Sequence, residues 1–149
     1  MNQSTRVTFR LRATLESRPL AIDLVSTLLV HVPCADRSFR NELVTAFGEA
    51  FNNVVTHGYR GRSDGMLEVE AEIGADALTL RLRDNGRQVD FDSVEPPDLE
   101  SLPEGGMGIF MMHAMVDEVV YKGGDPNELT LTKRVLPPTM DRLTGPENR

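Results

Sequence analysis

The sequence predicts an α/β two-layer sandwich, with helices on one face of a mixed, mostly antiparallel sheet. Three observations carry that prediction: apolar residues alternate in several short segments, two longer segments switch to helical spacing, and the elements follow the order β-α-α-β-β-loop-α-β-β. At 149 residues the chain suits one domain able to bury roughly 70% of the surface of its unfolded form.

Each element has its own signal. "RVTFRLRA" (6–13) alternates Val7, Phe9, Leu11 and Ala13 with polar partners and reads as a half-buried strand. "LESRPLAIDLVSTLLVHV" (15–32) reads as a helix with Leu20, Leu24, Leu28 and Val32 along one stripe, closed by Pro33. A second helix is expected from about 37 to 58, with Leu43, Phe47, Ala50 and Val54 on its core face and Gly58 as C-cap. "MLEVEAEIG" (66–74) and "ALTLRLRD" (77–84) form a hairpin across Ala75-Asp76. Residues 85–106 lack periodicity and are rich in proline and acid, and a loop of that length inside a compact domain is usually functional or disordered. "MGIFMMHAMVD" (107–117) reads as a helix, "EVVYKG" (118–123) and "ELTLTKRV" (128–135) as strands, and residues 137–149 as a loosely ordered tail. Met111, Met112 and Met115 read as core or dimer packing.

Composition excludes several classes. The chain is 40% hydrophobic with a net charge of −7, a mean hydropathy of −0.28 and a pI near 4.9. That is an ordinary globular composition, and it argues against a general nucleic-acid binder, which needs a basic face. An anionic ligand must then be held locally, by backbone amides, a metal or a few side chains. One cysteine, Cys34, cannot form an internal disulfide. With no apolar leader or membrane-length stretch, the expected location is the cytoplasm.

The stretch "GEAFNNVVTHGY" (48–59) places Glu49, Asn53 and His57 at four-residue intervals in an otherwise apolar helix. Glu49 and Asn53 fall on the shoulder of its core stripe, with His57 closer to the core. From this helix alone, a solvated shoulder explains them as well as a site does. Two later segments bear on the choice. "RLRDNG" ends a strand at Asp84 and supplies Gly86; a buried carboxylate only accepts hydrogen bonds, so it can fix an exocyclic amine, while glycine lets backbone pass close to a flat ring. "EGGMGIF" puts Gly105, Gly106 and Gly108 at the start of a helix, where free N–H groups suit a phosphate.

Together, in this order and spacing, these segments resemble the GHKL (histidine-kinase-like) ATPase superfamily, and within it the anti-sigma factor serine-protein kinases of bacterial partner-switching systems. The likeness runs from about residue 6 to 135: "EAFNNVVTHGY" resembles the N box, "DNGRQVDFD" the first glycine box and "PEGGMGIFMM" the second. The resemblance implies the Bergerat ATP-binding fold over 1–136, with an ATP lid at about 88–106. It implies Glu49 as general base, Asn53 as the Mg²⁺ ligand, and Asp84 and Gly86 at the adenine. Gly105, Gly106, Met107 and Gly108 would wrap the phosphates of ATP. His57 would cap the helix or bond on the phosphate side. Relatives often place a threonine beside the adenine-reading aspartate; Thr132 is the candidate here and Thr130 the other, with the register open and an ordinary strand role weighted above it.

The chain departs from the pattern in two places: Glu104 stands where some relatives carry a basic residue before the second glycine box, and Gln88 replaces a second glycine in the first. The resemblance implies an ATP-dependent serine kinase and anti-sigma regulator. Its implied partners are an anti-anti-sigma (STAS-type) protein and a sigma factor or other target, in a homodimer, with neither nucleic acid nor membrane bound directly. The competing reading is a non-catalytic module that sequesters a protein partner; a third is the detached ATP-binding part of a histidine kinase.

Overall fold

A computed structural model describes residues 3–91 and 107–135. Among the described residues five strands form one sheet: β1 (Thr5–Arg12), β2 (Met66–Ile73), β3 (Ala77–Asp84), β4 (Glu118–Lys122) and β5 (Asn127–Arg134). They lie in the order β1-β2-β3-β5-β4, and every neighbouring pair is antiparallel, so the expected mixed sheet is antiparallel throughout its described strands. One face carries the helices α1 (Arg18–Leu29), α2 (Arg37–Asn53) and α3 (Met107–Met115). No helix among the described residues is long and apolar enough to cross a membrane.

The two-residue alternation sorts the faces of the sheet. Leu67, Val69 and Ala71 of β2, Leu78, Leu80 and Leu82 of β3, and Leu129 and Leu131 of β5 are buried toward the helices. The outer face carries cross-strand charge pairs. Arg81 lies 3.0 Å from both Glu70 and Glu72, and Arg83 reaches Glu68 at 3.1 Å and Glu128 at 2.7 Å. Such half-exposed pairs stabilise modestly and fix register more than they add free energy.

α2 is the central helix. Asp36 caps it, accepting a hydrogen bond from the Phe39 N–H at 2.8 Å. The expected stripe of Leu43, Phe47, Ala50 and Val54 is buried, joined by Phe39, Ala46, Phe51 and Val55. Lys133 ties α2 and α3 to β5: its Nζ meets Glu42 at 2.7 Å and donates to the last carbonyl of α3, Met115 O, at 2.7 Å. That places a cation at a helix C-terminus, where the dipole favours it. Of the methionines, Met112 is fully buried and Met115 packs partly on the core.

Helix α1 corrects the expected stripe. Its buried residues are Ala21, Val25 and Leu29, while Leu20 is 57% and Leu24 37% exposed. Val32 of the expected stripe is buried and Leu28 packs partly on the core, while α1 meets α2 at Gly48, where a Cβ would stand 2.6 Å from the Arg18 guanidinium and 3.5 Å from Ile22. The helix also ends at Leu29, before Pro33: from Val30 to Val32 the amides bond three residues back, tightening the chain out of the helix.

Candidate active site

The end of α2 departs from simple helix. From Val54 to Gly58 the chain forms a wider π-helical turn, in which the Tyr59 N–H bonds to Val54 O at 2.9 Å. The wider turn carries Val54 and Val55 into the core and leaves His57 exposed, which corrects its expected place nearer the core. Gly58 is not a left-handed C-cap either; the chain reverses at Arg60 (φ 52°) and Gly61 (φ 76°).

Gly58 serves a close approach instead. A Cβ on Gly86 would fall 2.6 Å from Gly58 C and 2.7 Å from its O, and one on Gly58 would stand 3.6 Å from Asp84 Oδ1. Two backbones therefore pass without side chains between them, and Arg87 N–H bonds to Gly58 O at 2.8 Å. Gly86 was expected to make room for a ring; the neighbour it makes room for is the end of the N-box helix.

Asp84 is 7% exposed, as its place at the end of an inward-facing alternation requires. Burial pushes its carboxyl above the ordinary aspartate range, and hydrogen bonds from Asn127 and Gly86 pull partly back. Gly86 N–H donates to Asp84 Oδ1 at 2.8 Å and Asn127 Nδ2 to the same oxygen at 3.1 Å. Asn127 was missed by sequence reasoning, since an asparagine after proline reads as a turn residue. Only the pairing of β3 with β5, which sets Asp84 opposite Asn127, reveals it.

The same register decides the threonines. Thr132 pairs with Thr79 and Glu118 on the outer face, five residues from Asn127. That is roughly 16 Å along the strand. Thr132 therefore stands apart from Asp84, which corrects its assignment to the nucleotide site; Thr130, opposite Arg81, shares that outer face.

Glu49 is partly exposed and Asn53 is 9% exposed, one turn apart on α2. The first turn of α3 lies directly over them: a Cβ on Gly108 would stand 2.8 Å from Glu49 Oε2 and 3.8 Å from Asn53 Oδ1. The Asn53 Nδ2 is buried with no hydrogen-bond partner among the described residues. A buried amide is costly to leave unpaired, so it marks a place where a polar ligand fits. Met107 begins α3 and is exposed, whereas Gly105 and Gly106 lie outside the described residues, as do most of the expected lid and the tail. Among the described residues no cluster of three or more His, Cys, Asp or Glu could hold a metal. An amide such as Asn53, supplemented by phosphate oxygens and waters, suits a hard cation that keeps part of its hydration shell.

Two tyrosines frame the first glycine box. The Tyr59 hydroxyl donates to Met66 O at 2.6 Å and accepts from Asn85 N–H at 2.9 Å; burial pushes its pKa above the usual phenol value. Its ring rests on Gly65, where a Cβ would fall 2.5 Å from it. The Tyr121 hydroxyl accepts from Val89 N–H at 2.9 Å, and its ring stacks on Phe91 at 4.5 Å. A cavity of about 530 Å³ opens there, between residues 88–91, Tyr121 of β4 and His113 of α3.

Comparison with known proteins agrees with this geometry. The model of a histidine kinase-like ATPase domain matches residues 11–133. An anti-sigma F factor of Clostridium beijerinckii is 35% identical over 103 residues, covering 63% of this chain and 70% of that one. A serine-protein kinase RsbW of Listeria innocua is 29% identical over 102 residues, and the match spans 63% of this chain and 65% of the relative. A crystal structure of the RsbU and RsbW domains of a Mycobacterium tuberculosis protein superposes with a TM-score of 0.63 at 23% identity, covering 87% of this chain and 32% of that one. That likeness concerns the fold. With the family model spanning the sheet from the end of β1 to the end of β5, the chain belongs to the histidine kinase-like ATPase domain family.

Proposed function

We propose that this chain is an ATP-dependent protein-serine kinase that acts as an anti-sigma-type regulator in the cytoplasm and phosphorylates an anti-anti-sigma (STAS-type) partner. The observation that carries the reading is the buried, unpartnered Asn53 Nδ2, a donor suited to a phosphate oxygen, one turn from Glu49 and beneath the first turn of α3. Asn53 would hold a magnesium ion through its Oδ1, and that ion would supply charge neutralisation for a triphosphate. Asp84 would accept a hydrogen bond from the adenine amine. Phosphoryl transfer demands mainly position and charge neutralisation, so few side chains suffice.

Glu49 would accept the proton of a partner's serine hydroxyl. As that proton moves to the Glu49 carboxylate, the serine oxygen bonds to the γ-phosphorus and the bond to the β,γ-bridging oxygen breaks, leaving ADP. The names of the relatives support the partners: one is an anti-sigma factor and another a serine-protein kinase. In the unphosphorylated state of its partner, the chain would release a sigma factor or other target; in the phosphorylated state it would hold it. A homodimer completes the reading.

The test is a pull-down from native lysate with and without Mg-ATP, followed by phosphosite mapping. A small partner that gains acid-stable phosphoserine and leaves is the expected result. Partners that bind equally in both conditions and gain no phosphate would replace the kinase with a sequestering module, and acid-labile phosphate on histidine would point to a histidine kinase fragment.

A further inference from the structure

Asn127 opens β5 directly opposite Asp84, the last residue of β3. Its side chain is 0% exposed, so it touches no ligand itself. Burying an amide is unfavourable unless its polar atoms are used, and these are. Nδ2 donates to Asp84 Oδ1 at 3.1 Å and to Gly86 O at 2.8 Å, while Oδ1 accepts from Gly124 N–H at 3.0 Å. One side chain thereby joins the end of β3, the glycine-box loop and the β4–β5 turn.

The consequence falls on the carboxylate. Asp84 Oδ1 receives two donors, Asn127 Nδ2 and the Gly86 N–H, and among the described residues no hydrogen bond reaches Oδ2. Two donors converging on one oxygen fix the rotation of the group, so the direction of the other oxygen is set before any ligand arrives. That oxygen accepts only, as long as the carboxylate is ionised. A single hydroxyl in place of Asn127 would have one hydrogen to donate and could not serve Asp84 and Gly86 O together.

We propose that Asn127 is the positioning residue for nucleobase selection: by holding Oδ1 of Asp84 it aims Oδ2 at the ligand, so that the site prefers a purine bearing an exocyclic amine over the same purine without it. The inference rests on the nucleotide-site reading above and extends it to a residue outside the three boxes. Asn127 acts through Asp84, and its loss should therefore alter discrimination between bases rather than grip on the phosphates.

The experiment compares two probes on the full chain with magnesium: ATP, and purine riboside triphosphate, which has the same triphosphate and sugar but no 6-amino group. Affinities are measured by calorimetry for the wild type, Asn127→Leu and Asn127→Ser, after thermal unfolding has identified which variants are folded. A hydrogen bond to a charged acceptor corresponds to a preference of about 10-fold or more for ATP in the wild type. Asn127→Leu should weaken ATP about 10-fold and the amine-free analogue less than about 2-fold, so that the preference collapses. Asn127→Ser, with one donor left, should fall between, and it carries the comparison if the leucine variant does not fold. Equal weakening of both probes would mean a purely structural asparagine and overturn the inference, as would an unchanged ratio or a wild type indifferent to the amine. A wild type that binds neither probe would overturn the nucleotide reading itself.

Discussion

The carboxylate of Glu49 occupies the space that a side chain on Gly108 would need: a Cβ there would stand 2.8 Å from Glu49 Oε2. Glu49 and the first turn of α3 are therefore in direct contact, and the absence of a side chain at 108 sets where its carboxylate can point. Gly108→Ala should push the carboxylate aside. Because the displaced atom is the end of a flexible chain and alanine favours helix, stability should change by less than about 1 kcal/mol, while phosphotransfer falls about 10-fold or more. Parallel urea titration and single-turnover assays separate the two effects.

Gly86 meets backbone, and backbone cannot swing away. A Cβ there would lie 2.6 Å and 2.7 Å from Gly58 C and O. Gly86→Ala should cost about 1–3 kcal/mol of stability as the loop is forced off the N-box helix. Nucleotide affinity should fall with it, read by denaturant midpoint and calorimetry on the same preparation.

Glu49→Gln keeps the shape of the side chain and removes its capacity to take a proton. Transfer to serine should drop about 10²–10⁴-fold. ATP affinity should stay within about 2-fold. Wild-type transfer rates in this variant would remove Glu49 from the role of base.

Asp84 makes opposite predictions for folding and for binding. Burial raises its carboxyl above the unfolded value, so between those two values the folded state binds the proton more readily. The stabilising difference is then present at low pH and lost as pH rises from the unfolded aspartate value, about 3.9, through the raised one. Binding of the adenine amine needs the ionised form and should weaken as pH falls through the same window. Asp84→Asn should flatten both dependences relative to wild type, measured as Tm and ATP affinity against pH.

Tyr59 joins the N-box helix to two other elements through one hydroxyl, bonded to Met66 O and Asn85 N–H. Tyr59→Phe leaves both groups without that partner and should cost about 1–3 kcal/mol. Chemical denaturation with a matched Tyr121→Phe control tests whether the effect belongs to the first glycine box as a whole or to its anchoring at Tyr59.

The sequence by itself determined the elements and most of the site. Alternation placed the strands within a residue or two, since one face of each is buried and the other solvated. The boxes around Glu49, Asn53, Asp84 and Gly108 were legible because their order and spacing together resemble a known family, each segment alone having an ordinary structural explanation. Tertiary structure decided what local pattern cannot encode. The inward face of α1 carries Ala21, Val25 and Leu29, not the Leu20 and Leu24 that the spacing put there. His57 turned outward because the end of α2 widens into a π-helical turn. Asn127 joined Asp84, and Thr132 left the site, because strand register is a relation between segments distant in sequence. The inward turn of Leu129 and Leu131 excludes a one-residue shift, but which residue of β3 each residue of β5 meets is set only by the pairing.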